Sequence, residues 1–258
     1  SGIDLPDLDV PKAELPDDLV RTDNGLPELS QVDVARHYLQ LSQRNYGVDS
    51  GFYPLGSCTM KYNPKVNEAL ARLPEFANLH PLLPVSAAQG SLALMFHLQE
   101  CIKEIGGFAA VSLQPSAGAH GELAGLLMMR AYHADRDDDG RTQVLIPDSA
   151  HGTNPASTTM AGIGVVEIPT DSRGNVDLGA LKAACGPSVA GLMLTNPNTL
   201  GLFEEQVEEV IRAVHACGGL VYGDGANMNA LTAVARPGDF GIDIMHFNLH
   251  KTFASPHG

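Results

Sequence analysis

The amino-acid sequence predicts an α/β domain built on a mainly parallel central sheet, and three features of the chain predict it. From about residue 109 onward, short apolar runs alternate with stretches of helical periodicity. The runs are apolar at successive positions rather than every second one, as expected for strands buried on both faces. The 27 glycines among 258 residues lie beside polar residues at the ends of these runs, which suits tight strand-to-helix turns.

In chain order, residues 1–27 carry Pro6, Pro11, Pro16 and Pro27 and are expected to be extended. A helix is predicted over 30–45, with Ser30 as N-cap and Val34, Tyr38 and Leu41 on one face. Residues 46–64 form a Gly- and Pro-punctuated loop too long to be a simple connector. A second helix is predicted over 86–105, opened by a Ser86/Gln89 capping box and striped by Leu92, Met95, Phe96 and Ile102. Strands are then predicted at 109–113, 143–147, 165–169, 191–195, 220–222 and 242–249. Helices are expected at 121–135, 177–185 and 203–217. The domain reading is an arm and helix over 1–50 and a large domain over 51–258.

Lys and Arg total 16 against 30 Asp and Glu, a net charge of −14, so the surface as a whole repels nucleic-acid backbones and anionic lipid. The chain shows no basic stripe, no apolar run of membrane-spanning length and no signal-peptide pattern. No nucleic-acid or membrane partner is expected. Cys58, Cys101, Cys185 and Cys217 have neither metal-ligand nor CxxC spacing and read as reduced thiols of a cytoplasmic protein, with no metal site. Ser1 is not a Met, and the chain breaks off in the loop-like run 255–258, so a fragment or processed chain is expected at both ends.

Ligands of open α/β sheets sit beyond the carboxyl ends of the strands, which directs attention to four segments. Ser116, Ala117 and Gly118 enter a helix after the first predicted strand. Small residues there leave backbone amides open to an anion, although the same pattern also makes an ordinary tight turn. His151 follows strand 143–147 beside Gly152, either to stack on a planar cofactor or to cap and satisfy its own loop. Asp224 follows strand 220–222 between glycines, either as a helix cap or as the partner of a cation such as a pyridinium nitrogen. Lys251 closes the last predicted strand. It is either a snorkelling surface lysine or an amine made available by desolvation for condensation with a carbonyl carbon. The order of the four carries the functional reading.

That order resembles the fold-type I pyridoxal-phosphate (PLP) enzymes, and specifically the glycine decarboxylase P-protein family of the glycine cleavage system. YPLGSCTMKYNP at 53–64, PSAGAHGE at 115–122, DSAHGTNPAS at 148–157, DGANMNA at 224–230 and NLHKTF at 248–253 carry the resemblance. TNPNTLGLFE at 195–204 and ARPGDFGIDI at 235–244 favour the split form, in which a lysine-bearing subunit 2 pairs with a homologous subunit 1 in a heterotetramer. The resemblance implies an aspartate-aminotransferase-like large domain with three α/β/α layers. The family's glycine-rich run and smaller C-terminal domain are expected to be missing here. It further implies that Lys251 holds PLP covalently, that His151 stacks on its ring and that Asp224 pairs with the ring nitrogen. Ser116, Ala117 and Gly118 would hold the phosphate, with Asn248 and His250 beside them and Ala226 near the opposite ring face. Asn196, Thr199 and, from the signature loop, Ser57, Cys58, Thr59 and Lys61 are the implied substrate contacts. The implied reaction is decarboxylation of glycine with transfer of the aminomethyl group to the lipoyl arm of the H-protein.

Rival readings are another fold-type I enzyme, such as an aminotransferase or cysteine desulfurase, and a non-catalytic partner subunit of the same fold. A dinucleotide-binding domain is more distant, because Gly162-Ile163-Gly164 has no third glycine at the required spacing.

Overall fold

The structure, a computed structural model, describes residues 14–21, 23–47, 49–51 and 62–255. The chain divides into two units, Ser1–Tyr53 and Pro54–Gly258. In the first, helix α1 spans Gln31–Ser42. Ser30 caps it as expected: its Oγ accepts from the Asp33 amide at 3.2 Å and donates to the Asp33 carboxylate at 2.6 Å.

The second unit contains α2 (Lys65–Ala71), α3 (Pro74–Ala77), α4 (Gln89–Gly106) and α5 (Gly118–Ala134) before its first strand. There follow β1 (Gln143–Pro147), α6 (Thr153–Met160), β2 (Gly164–Ile168), α7 (Leu178–Ala184), β3 (Val189–Thr195), α8 (Val207–Ala216), β4 (Leu220–Gly225), β5 (Ile244–Phe247) and α9 (Leu249–Thr252). The five strands pair in the order β2-β1-β3-β4-β5, and every pairing is parallel.

Alternation along the strands builds a core on each face. Leu145, Leu192, Leu194 and Val221 pack with Leu181 of α7 and Val210, Ile211 and Val214 of α8. Val144, Ile146, Met193 and Tyr222 pack on the other face with Leu126 and Met129 of α5. Three layers result, as the sequence predicts, and each fully buried Leu, Ile, Val or Met contributes about 1.5–3 kcal/mol. On α5 the buried residues Glu122, Leu126, Met129 and His133 recur at helical spacing. Gly125 lies among them because a Cβ there would overlap the Tyr222 ring.

Several expectations are corrected. Residues 109–113 form no strand; the Val111 carbonyl is met instead by Gln99 Nε2 from α4 at 2.7 Å. An apolar run specifies a strand only where a neighbouring strand offers its ladder. Ser86 does not cap α4. It lies in a single 3-10 turn, Val85–Ala87, and Gln89 Nε2 donates to the Val85 carbonyl at 2.8 Å rather than closing a capping box. The strand predicted at 220–222 continues to Gly225, so Asp224 lies within β4 and not beyond it. The strand predicted at 242–249 shortens to Ile244–Phe247, and Lys251 lies on the helical turn α9 rather than at a strand end.

Candidate active site

β1 lies between β2 and β3 in the sheet, so the chain leaves its carboxyl end toward one edge and later returns on the other side. The crevice at such a reversal is where ligands enter open α/β sheets. A cleft lies there, lined by Ser149 and Ala150 after β1 and by Thr195, Asn198 and Glu204 after or at the end of β3. Thr199 Oγ1 donates to the Ser149 carbonyl at 2.5 Å and ties the two loops together.

Register places Thr195, Asp224 and His246 side by side on β3, β4 and β5. Asp224 is 3% exposed. Its Oδ1 accepts from the Ala226 amide at 2.9 Å and faces His246 Nε2 at 3.5 Å. Thr195 Oγ1 is buried with no hydrogen-bond partner. A carboxylate buried this deeply requires a positive or hydrogen-bonding group to offset its desolvation.

Behind Asp224 the proton order can be read from the donors. The Tyr222 hydroxyl lies 2.5 Å from His246 Nδ1, and the two rings stack with centroids 5.9 Å apart. Burial, followed by the charges of Asp224 and Glu122, pushes the Tyr222 phenol far above its ordinary range, so the hydroxyl keeps its proton. His246 Nε2 faces two acceptor oxygens, Asn248 Oδ1 at 3.0 Å and Asp224 Oδ1 at 3.5 Å, so it carries the ring proton and donates to Asn248, which leaves Nδ1 to accept from the Tyr222 hydroxyl. This fixes the Asn248 amide with Nδ2 turned toward the start of α5, where a Cβ on Gly118 would overlap it.

Ala117 is the N-cap residue of α5 and supplies no side-chain cap. Gly121 is the first residue of the helix whose amide reaches back to a carbonyl, that of Ala117, so the earlier amides point outward at the positive end of a 17-residue helix. Ser116 Oγ, just outside, is 2.8 Å from His120 Nδ1.

The remaining candidates are placed as follows. His151 is exposed, with Nδ1 2.8 Å from Thr153 Oγ1. Lys251 is half-buried, its amide bonded to the Asn248 carbonyl at 3.0 Å. Its Nζ has no hydrogen-bond or ion-pair partner among the described residues. His250 shares its turn. Asn196 is buried, and its Oδ1 accepts from the Glu204 amide at 3.0 Å, while its Nδ2 has no partner. Ala226 meets Asp224 through its backbone amide. Ser57, Cys58, Thr59 and Lys61 lie outside the described residues. Sequence reasoning missed Tyr222, His246, Thr153 and Glu122. Glu122 had a legible signal, since it is an acid on the buried stripe of α5.

These groups fit a flat, anionic, aldehyde-bearing cofactor. Lys251 offers an amine unengaged among the described residues, Asp224 a buried carboxylate beside the orphaned Thr195 hydroxyl, and α5 an N-terminus without a side-chain cap, bordered by small residues. Among the described residues no cluster of His, Cys, Asp and Glu is arranged to hold a metal ion.

Residues 127–258 match the family described as aminotransferase class-V. The chain belongs to the aminotransferase class-V family. Proteins of this family and glycine decarboxylase are PLP-dependent enzymes. Within that family, the chain is 58% identical over 260 residues to a probable glycine dehydrogenase (decarboxylating) subunit 2 of Exiguobacterium sibiricum, a match covering 100% of this chain and 53% of that protein. It is 57% identical over 259 residues to the protein of the same name from Caldanaerobacter subterraneus subsp. tengcongensis, covering 98% of this chain and 53% of that one. The chain thus spans about half the length of the curated relatives it matches. Among solved structures, glycine decarboxylase (P-protein) of the glycine cleavage system in inhibitor-bound form superposes with a TM-score of 0.67 at 24% identity, covering 90% of this chain and 51% of that one. A NifS-like protein superposes with a TM-score of 0.58 at 18% identity, over 76% of this chain and 54% of that one. These two likenesses show that the fold is shared across the class.

Proposed function

We propose that the chain is the lysine-bearing part of a PLP-dependent glycine decarboxylase, subunit 2 of the split form. With its homologous subunit 1 it would release CO₂ from glycine and pass the aminomethyl group to the lipoyl arm of the H-protein. The observation that carries the reading is a lysine amine with no hydrogen-bond or ion-pair partner among the described residues, on the turn that follows β5, with buried Asp224 on the adjoining strand β4. The identity to subunit 2 relatives along the whole chain favours glycine decarboxylation over aminotransferase or desulfurase chemistry. Residues 51–258 are then the PLP-binding large domain and 1–50 its arm. The absence of disulfide or metal spacing among the cysteines supports a cytoplasmic setting.

In this reading PLP, when bound, supplies an electron sink. Lys251 would hold it covalently. Asp224, held by the Ala226 amide, would keep its ring nitrogen protonated. The open amides of α5, with Ser116, Ala117 and Gly118, would bind the phosphate together with Asn248 Nδ2. His151 and Ala226 would pack against the ring. Asn196 and Thr199 would contact the substrate, and the family resemblance gives the same role to Ser57, Cys58, Thr59 and Lys61 of the signature loop, which lie outside the described residues.

The direct test is Lys251→Ala in the full-length protein with its partner subunit. The expected result is loss of the covalent PLP absorption band and of exchange between the glycine carboxyl carbon and bicarbonate. Retention of both at wild-type level would reject the assignment. Release of CO₂ from labelled glycine should also depend on lipoylated H-protein, which an aminotransferase or a desulfurase would not require.

A further inference from the structure

His151 does not stand alone. Its Nδ1 lies 2.8 Å from Thr153 Oγ1, Thr153 Oγ1 donates to Glu122 Oε1 at 2.8 Å, and Ser157 Oγ donates to Glu122 Oε2 at 2.8 Å. Glu122 is 5% exposed and Ser157 6%. The line therefore runs from a carboxylate inside the α5–α6 interface out to an exposed imidazole.

Counting donors fixes its direction. An ionised carboxylate only accepts, and a hydroxyl has one proton to give. Glu122, buried away from solvent, accepts hydrogen bonds from the Ser157 and Thr153 hydroxyls. The Thr153 oxygen, having spent its proton, faces His151 as an acceptor, so the short contact to Nδ1 requires Nδ1 to carry hydrogen. One contact competes: the Thr153 amide also points at Nδ1, at 3.2 Å, and alone it would call for a bare Nδ1. The hydroxyl contact is 0.4 Å shorter (3.2 against 2.8 Å), and with a bare Nδ1 it would set two lone pairs against each other.

We infer that Glu122 and Thr153 are positioning residues that hold His151 with its proton on Nδ1, leaving Nε2 as a bare acceptor facing the site. The inference rests on the PLP reading for what His151 faces, but not for which nitrogen is protonated. A neutral imidazole in the other tautomer would turn an N–H toward the site and could not take up a proton there. Glu122 thereby sets the acid–base character of a residue it does not touch.

The test uses the full-length protein labelled with ¹⁵N-histidine, with His151 assigned by difference against His151→Asn. Ring ¹⁵N shifts at a pH where His151 is neutral should report a protonated Nδ1 and a bare Nε2. In Thr153→Val only the residue-153 amide still faces Nδ1, so the ring proton should move to Nε2, while Thr153→Ser should keep the wild-type tautomer. In glycine–bicarbonate exchange, Thr153→Val should lower kcat by at least about 10-fold, less than the roughly 10²-fold that loss of a positioned acid–base group costs. KM for glycine should stay within about two-fold, and Thr153→Ser should recover kcat. A wild-type proton on Nε2, or a tautomer unmoved in Thr153→Val, would overturn the inference whatever the activity. An Nδ1 proton in a protein that takes up no PLP would instead reject the functional reading and leave the relay standing.

Discussion

Asp224 shows how a single side chain can be read in two ways until its surroundings are known. The sequence leaves open a helix cap or a partner for a cation. In the structure its Oδ1 does accept a backbone amide, that of Ala226, but the residue lies inside β4 and caps no helix. One amide and a histidine at 3.5 Å are modest compensation for a carboxylate 3% exposed, and this is the argument for a cationic ligand. Asp224→Asn keeps the shape and removes the charge. It should retain PLP and the fold but lower glycine–bicarbonate exchange by roughly 10²–10³-fold, the range for loss of one preorganised electrostatic group. Unchanged exchange would remove Asp224 from the chemistry. His246 and Tyr222 were invisible at this scale, because a buried hydrogen-bonded pair on neighbouring strands follows from register, which no run of residues states.

At the scale of elements, the sequence was most legible where composition and neighbours agree. β1 has the predicted bounds because it pairs on both sides and is apolar and buried from Val144 to Pro147. α7 begins one residue inside its predicted start, because Asp177 is its N-cap, whose carboxylate accepts from the Ala180 amide at 2.9 Å. α6 went unforeseen because Thr153–Met160 has no apolar stripe. Its buried residues are Asn154, Ser157 and Thr158, and the residues that line Glu122 are the very ones that hide the helix. The start of α9 was read as strand because Leu249 extends the run of β5, and the Lys251 and Thr252 amides returning to the Asn248 carbonyl reveal a turn. The meeting of α5 with the end of β5 allows a prediction of its own. A Cβ on Gly118 would overlap Asn248 Nδ2, the mobile end of a side chain, so Gly118→Ala can be accommodated by moving Asn248. Tm should change little, since a helical alanine is favoured over glycine by about 1 kcal/mol, while PLP affinity falls as the amide swings off its His246 anchor. A large drop in Tm with affinity preserved would show that Gly118 serves packing alone.

For the large unit as a whole, stability rests on two cores separated by the sheet, and among the described residues the α7–α8 core is the one that carries titratable thiols. Cys185 and Cys217 end α7 and α8 and pack against it. Burial, followed by the neighbouring Cys217, pushes the Cys185 thiol from 9.0 up to about 11. A raised pKa means that the folded state holds this proton more tightly than the unfolded chain does. The stabilisation is therefore complete below pH 9 and is lost as pH climbs through about 11. Cys185→Ala removes this titration while leaving the tyrosines and lysines that ionise in the same range. Urea denaturation of wild type and variant should therefore give curves that converge across that window, the wild type losing more stability with each step in pH. Parallel curves from neutral pH to the top of the window would mean that the Cys185 thiol has no part in the alkaline limit of the fold, leaving that limit to the phenols and amines.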